Sequence, residues 1–243
     1  MESVDFVTIP PLSIDTKIDK AMRHLYGASW NWRSKKQEEG LRAVIEGNTP
    51  LFIILPTGAG KTVMFEVPAL FDNAKSTIVI LPLVALSENL MKRCKDDRQD
   101  VIIFGQGKPR YAKIIIVIME TATSPECREF IKNCYLDGEL ERIVFDECHM
   151  IGTEKSYRLK LQTLWRLNIP VQYIFMSATY PPSFARIFEE DMLIEDPIII
   201  REMNNKLKCY YSVTRYGRGF EELEGILKST IELCTNGRKV RYN

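Results

Sequence analysis

Several stretches of this chain are apolar at every position, among them Ile78-Val79-Ile80-Leu81, Ile114-Ile115-Ile116-Val117-Ile118 and Ile143-Val144-Phe145. Successive side chains of a strand point to opposite faces, so a strand with one wet face alternates apolar and polar residues. Runs without that alternation need cover on both faces, the condition of a parallel sheet between two layers of helices. The rest of the chain supplies the cover. Strand patterns at Leu51–Leu55, Ser76–Leu81, Val101–Phe104, Ile114–Met119, Arg142–Phe145 and Val171–Met176 are interleaved with helix patterns at Lys35–Glu46, Thr62–Leu70, Val84–Cys94, Pro125–Leu136 and Ser156–Leu167. Ile198–Ile200 adds a further strand. The expected fold is α/β, three-layered, with a mostly parallel central sheet flanked by helices.

The ends read differently. Residues 1–24 form a loose lead-in: Pro10-Pro11 bars regular structure, and Ser13 to His24 holds a short helix. Past Ile200, Tyr210-Tyr211-Ser212-Val213 opens a new segment. A turn at Gly217–Gly219, a helix at Glu221–Leu233 and a basic tail at Arg238-Lys239-Val240-Arg241 follow. Lys plus Arg total 33 against 32 Asp plus Glu, so net charge makes no case for or against nucleic acid. Six cysteines without C-x-x-C spacing, and only two histidines, give no reason to expect structural zinc. The N-terminus is not signal-like and no apolar run is long enough to span a bilayer, so a reduced, intracellular protein without a membrane partner is expected.

One strand–helix junction carries chemistry. Leu55-Pro56-Thr57-Gly58-Ala59-Gly60-Lys61-Thr62 follows the first apolar run. Gly58 and Gly60 allow the backbone to wrap closely around a phosphate, and the helix beginning near Lys61 adds its positive end. The strict G-x-x-x-x-G-K-[ST] form has Gly where this chain has Leu55, but T-G-x-G-K-T is intact. The pattern assigns nucleotide contact to Thr57, Gly58, Ala59, Gly60, Lys61 and Thr62. Lys61 would meet the β- and γ-phosphates, and the Thr62 hydroxyl would ligate Mg²⁺. ATP and Mg²⁺ are therefore the expected cofactors.

The Arg142–Phe145 run ends in Asp146-Glu147-Cys148-His149, at the sheet edge where parallel α/β folds bind ligands. Asp146 suits Mg²⁺ held through water, Glu147 an attacking water, and His149 the sensing of the γ-phosphate. Asp-Glu after a strand is also a common helix cap, a reading that loses weight once a phosphate loop follows a separate strand. Cys148 reads as structural. Trp165, in register with Leu161 and Leu164, reads as core, and His24 as a surface residue. The Lys92-Arg93-Cys94-Lys95 tract suits either phosphates or the negative end of its own helix.

Ser177-Ala178-Thr179 follows the Val171–Met176 run. Together with Thr57–Thr62 and Asp146–His149 it resembles the first three signature motifs of superfamily-2 helicases. Pro82-Leu83-Val84-Ala85-Leu86 resembles that group's segment that touches the nucleic-acid backbone. Val117-Ile118-Met119-Glu120 resembles a Val-Ser/Thr-Pro-Glu segment of the RecQ-like branch, with Ser124-Pro125-Glu126 as a competing register. Ala178-Thr179-Tyr180-Pro181-Pro182 resembles that branch's Ala-Thr-Leu-Pro-Pro. The resemblance covers roughly residues 32–213. It implies a RecA-like P-loop domain at 25–203, with 204–243 as linker and start of an incomplete second RecA-like domain. It implies ATP-driven 3′-to-5′ translocation on single-stranded or partly duplex DNA, in the nucleus if the source is eukaryotic. The implied nucleic-acid contacts are Pro82, Leu83, Val84, Glu120 and Ser124; Ser177 and Thr179 couple the two activities.

Four departures from the family temper this. Its adenine element reads Phe-Arg-x-x-Gln, whereas three residues separate Trp32-Arg33 from Gln37 here. Gln37 remains the candidate for the adenine edge, and Trp32 or Arg33 for stacking. The family's aromatic-rich loop is replaced by Met150–Arg158, in which Tyr157-Arg158 stands where a Phe-Arg pair would be and the Trp is missing. A complete second domain, with its arginine finger, and a zinc or winged-helix module are not evident. The isolated chain is expected to hydrolyse ATP slowly and not to unwind DNA without a second RecA-like domain or partner protein in trans. The competing expectation is a degenerate, nucleotide-binding or regulatory remnant.

Overall fold

The computed structural model describes residues 12–107, 110–192, 194 and 196–202. The chain divides into two compact units, Met1–Asn204 and Asn205–Asn243, and every described residue lies in the first. The segments expected at Tyr210–Val213, Gly217–Gly219, Glu221–Leu233 and Arg238–Arg241 lie outside the described residues.

Seven strands form one sheet in the order β3-β4-β2-β5-β6-β1-β7. They are β1 (Leu51–Ile54), β2 (Ser76–Leu81), β3 (Val101–Ile103), β4 (Ile114–Ile118), β5 (Leu140–Phe145), β6 (Gln172–Ser177) and β7 (Ile198–Arg201). Every pairing is parallel. The unbroken apolar runs now have their cause. Phe52, Ile54, Ile78, Ile80, Phe145 and Phe175 enter one buried cluster, while Leu51, Ile53, Val79, Leu81, Val144 and Ile174 enter the other. Helices α1 (Ile14–Tyr26), α2 (Lys35–Ile45), α3 (Val63–Ala69) and α4 (Val84–Asp96) cover the second cluster. Helices α5 (Met119–Ala122), α6 (Pro125–Leu136), α7 (Met150–Thr153), α8 (Lys155–Trp165) and α9 (Pro182–Met192) cover the first.

The short helix expected at Ser13–His24 is α1, while Pro10-Pro11 lies outside the described residues. Ser13 caps α1 by accepting the Thr16 N–H, and Ile18, Ala21 and Met22 bury one face of the helix in the core. His24 is exposed, as expected of a surface residue, and its Nε2 lies 2.7 Å from the Asp97 carbonyl oxygen. That contact ties the end of α1 to the end of α4. The short helices α5 and α7 are single turns too brief to leave a periodic signal, and α9 opens on Pro182, a residue suited to a first helical turn.

Strands β5, β6 and β1 are adjacent, and their aromatic residues are in register. Phe175 pairs across the ladder with both Phe52 and Phe145. Its ring stacks on Phe52 at 4.7 Å and on Phe145 at 5.1 Å, while Phe188 of α9 closes edge-on against Phe52 at 4.9 Å. Nearer the opposite edge, buried Arg142 donates to Gln172 Oε1 at 3.0 Å and to Thr77 Oγ1 at 3.3 Å, joining β5 to both neighbours.

Phe175→Ala removes the middle ring of a dry stack and should destabilise the protein by about 3–5 kcal/mol. Urea denaturation followed by circular dichroism measures this. A loss below about 1 kcal/mol would show that the stack does not hold the three strands.

Candidate active site

The loops after β1, β5 and β6 emerge side by side. The β1 loop turns on Gly58 (φ 82°) and Gly60 (φ 76°), conformations that side chains disfavour. A Cβ on Gly60 would also lie 2.4 Å from Gln37 Nε2 and push that side chain aside, so the positive φ and the close approach together favour glycine. The N–H groups of Gly58, Gly60, Lys61 and Thr62 donate to no protein group among the described residues. The Ala59 N–H is instead committed to Pro56 O at 3.0 Å. Lys61 Nζ rests on the Leu55 carbonyl oxygen at 3.2 Å. Unpaired N–H groups at a helix start make an anion cradle.

The β5 loop is strained. Glu147 has φ 51°, a left-handed conformation rare for a non-glycine residue, and its N–H donates to Asp146 Oδ1 at 3.0 Å. Glu147 Oε2 lies 3.1 Å from His149 Nδ1, which in turn lies 3.1 Å from Ser177 Oγ at the end of β6. Ser177 Oγ donates to Thr179 O at 2.7 Å and accepts the Thr179 N–H at 3.1 Å. A proton on His149 Nδ1 satisfies both of its neighbours, because the carboxylate accepts only and the hydroxyl hydrogen is already used. The Ser177 carbonyl accepts the Leu55 N–H at 3.1 Å. The three loops are thus hydrogen-bonded in series.

A cavity of about 520 Å³ opens between the β1 and β5 loops, lined in part by Arg33, Gly58, Gly60, Lys61, Thr62, Asp146 and Glu147; His149, Ser177 and Thr179 stand behind Glu147 and do not line it. Burial, and then the charge of Glu147, push the Asp146 carboxyl up to about 6, against the pull of Lys61 and Arg93. Such a desolvated carboxylate across from a hydroxyl and free N–H groups suits a divalent cation bound to phosphate oxygens. Among the described residues no group of three or more His, Cys, Asp or Glu could hold a metal alone. The residues present therefore fit a metal–nucleotide complex rather than a closed protein cage.

Not every expected residue reaches this cavity. Gln37 is buried: its Nε2 donates to Gly60 O at 3.2 Å and its Oε1 accepts the Arg33 N–H at 2.9 Å. The extra residue in that loop explains this. Ser34 caps α2 by accepting the Gln37 N–H, which makes Gln37 the third helical residue and turns its side chain back as in a capping box. Trp32 is half-buried against Trp30, edge-on at 5.1 Å, and does not line the cavity. Arg33 does line it, with Nη1 on the Gly58 carbonyl. Thr57 is exposed and also lies outside the lining.

Along the neighbouring edge Leu83 and Val84 are exposed, 57% and 55%, but Pro82 is buried and offers no side-chain contact. Ser124 caps α6 through the Cys127 N–H, and Glu120 pairs with Lys160 at 3.2 Å. Tyr157 is 3% exposed, with its hydroxyl 3.4 Å from Asp146 O, so it underpins the β5 loop rather than offering a stacking face. Cys148 is fully enclosed and its thiol is pushed well up by burial.

Five further residues line the cavity without a sequence motif to announce them: Leu25, Tyr26, Glu66, Arg93 and Asp97. The available signals were Glu66, the lone acid in the apolar run Val63–Ala69, and the basic tract that contains Arg93.

The raised Asp146 carboxyl sets a pH dependence. Its protonated form is favoured in the fold, so its contribution to stability is fully present below the unfolded value near 4 and is lost as pH rises through about 6. In metal-free buffer at neutral pH, Asp146→Asn should therefore be more stable than the parent by about 1–2 kcal/mol, with the gain vanishing in acid. Paired thermal melts across pH check this. A variant less stable at every pH would contradict it.

The chain matches the DEAD/DEAH box helicase family over residues 34–187. Among curated proteins it is 23% identical over 201 residues to the ATP-dependent helicase SGS1 of Saccharomyces cerevisiae, covering 74% of this chain and 14% of that protein. It is 25% identical over 233 residues to the ATP-dependent DNA helicase Q5 of Rattus norvegicus, covering 88% and 23%. The chain thus spans less than a quarter of either relative. Among solved structures, the DUF1998 helicase MrfA, crystallised bound to DNA, shares the fold with a TM-score of 0.56 and 18% identity. That match covers 79% of this chain and 28% of MrfA.

Proposed function

Since the chain belongs to the DEAD/DEAH box helicase family, and its helicase domain is similar to RecQ-family ATP-dependent DNA helicases, we propose that it binds Mg²⁺–ATP in the cleft between its β1 and β5 loops and hydrolyses it in response to DNA. The observation that carries the reading is the hydrogen-bonded series Glu147–His149–Ser177–Thr179 lying beside the phosphate loop. Hydrolysis needs an anion cradle for the phosphates and an anionic oxygen for water, and coupling needs a route by which the nucleotide state reaches other surfaces; the loops hold a candidate for each.

In this reading the free N–H groups of Gly58, Gly60, Lys61 and Thr62 surround the phosphates, with Thr57 and Ala59 shaping the turn. Lys61 leaves the Leu55 carbonyl for the phosphate chain. The Thr62 hydroxyl and, through water, the Asp146 carboxylate would hold Mg²⁺, which would neutralise phosphate charge. Glu147 accepts a proton from the attacking water and orients its lone pair. His149 and Ser177 relay a shift of Glu147 to Thr179. Arg33 is the candidate for the base, and Gln37 acts by holding the Gly60 carbonyl.

The proposed substrate is single-stranded or partly duplex DNA, touched at Leu83 and Val84 and near Glu120 and Ser124, with a second RecA-like domain in cis or trans completing the channel. A nuclear location follows if the source is eukaryotic. No helix among the described residues is long and apolar enough to cross a membrane.

Lys61→Ala should abolish measurable ATP binding. Glu147→Gln should keep binding but lower turnover by about 10²-fold or more. Single-stranded DNA should raise the parent's turnover. Steady-state hydrolysis with and without DNA, beside nucleotide titration, reads all three; unchanged turnover in Glu147→Gln would remove Glu147 from its assigned role.

A further inference from the structure

We propose that Arg93 is a second phosphate-binding cation of this cleft, with Glu66 as its positioning residue and the phosphate chain of a nucleoside di- or triphosphate as its ligand. The inference rests on the nucleotide reading of the cavity. Glu66 lies one helical turn beyond Thr62 on α3, and its side chain is 2% exposed. Arg93 comes from α4. Its Nε and Nη2 both donate to Glu66 Oε1, at 3.0 and 2.5 Å. Its Nη1 has no protein partner among the described residues, its side chain is 48% exposed, and it lines the same cavity as Gly58, Gly60, Lys61, Thr62 and Asp146.

Glu66 makes little sense as a core residue. A carboxylate buried beside an anion site is unfavourable for the fold and for the anion alike, and an apolar side chain at this point of α3 would pack better. Its placement is sensible if its task is to hold a guanidinium. A planar guanidinium offers donors along two edges: one edge engaged by a carboxylate leaves the other rigidly directed, at a lower entropic cost than a free arginine. Cys94, the next residue, contributes only a distant thiol, its Sγ 4.0 Å from Glu66 Oε1. Lys61 and Arg33 each donate to a carbonyl of the phosphate loop, whereas Arg93 donates to none. The cleft therefore holds a clamped cation whose free edge is available before any nucleotide arrives.

The test uses the full chain and two probes: ATP, by calorimetric titration, and inorganic tripolyphosphate, by displacement of a fluorescent nucleotide. The Glu66→Gln/Arg93→Gln double variant replaces the ion pair by neutral amides of similar shape and avoids an uncompensated buried charge. It should lose about 10- to 100-fold in affinity for both probes. Arg93→Lys, which keeps charge but not the fork, should fall between it and the parent. Thermal melts confirm folding, and affinities are read well below the transition. Unchanged affinity for both probes in the folded double variant overturns the assignment. So does a loss for ATP that tripolyphosphate does not share, because that places the effect away from the phosphates. Lys61→Ala separates the two levels: binding lost there but intact in the double variant overturns the role of Arg93 alone, while a parent that binds neither probe overturns the nucleotide reading as well.

Discussion

The stacked rings of Phe145, Phe175 and Phe52 fix the level at which three adjacent strands end. Each ring sits opposite its neighbour in the parallel ladder, so a slip of one residue would turn an aromatic side chain to the other face of the sheet. With β5, β6 and β1 locked in this way, Asp146, Ser177 and Leu55 emerge as neighbours. Everything chemical follows from that coincidence. The Leu55 N–H reaches the Ser177 carbonyl, and the Cys148 N–H reaches Met176 O. No loop would need to be long to bring phosphate loop, acidic box and β6 terminus together, because the sheet has already done so.

The electrostatics of the cleft do not favour the fold by themselves. Asp146 and Glu147 lie close together, one of them desolvated enough to hold its proton up to about pH 6. Opposite them are unpaired N–H groups and a lysine resting on a carbonyl. A folded protein gains nothing from this in isolation, and the positive φ at Glu147 adds strain. On the proposed function, a metal–phosphate complex would supply cation and anion together and make the arrangement favourable, so that binding energy and stability oppose each other.

Much of this was legible in residues that act through local order. Unalternating apolar runs required a covered parallel sheet, and Gly58, Gly60 and Lys61 between strand and helix required an anion turn. What escaped depended on partners distant in the chain or on one inserted residue. Ser34 became a helix cap and drew Gln37 inward, so a residue assigned to the adenine edge holds the Gly60 carbonyl instead. Pro82 sank while Leu83 and Val84 stayed exposed. Glu66 and Arg93 are 27 positions apart, and no spacing rule joins them. His24, exposed as expected, meets the Asp97 carbonyl just past α4, 73 positions away.

A ligand held by the phosphate loop and the acidic box should be felt at the β6 end as well, through His149 and Ser177. Amide hydrogen exchange on the full chain, with and without Mg²⁺ and a non-hydrolysable ATP analogue, addresses it directly. The account predicts slowed exchange together at Gly58–Thr62, at Asp146–His149 and at Ser177–Thr179, with the effect lost when Mg²⁺ is chelated. Slowing confined to the phosphate loop, or found only at segments away from these three, would contradict it.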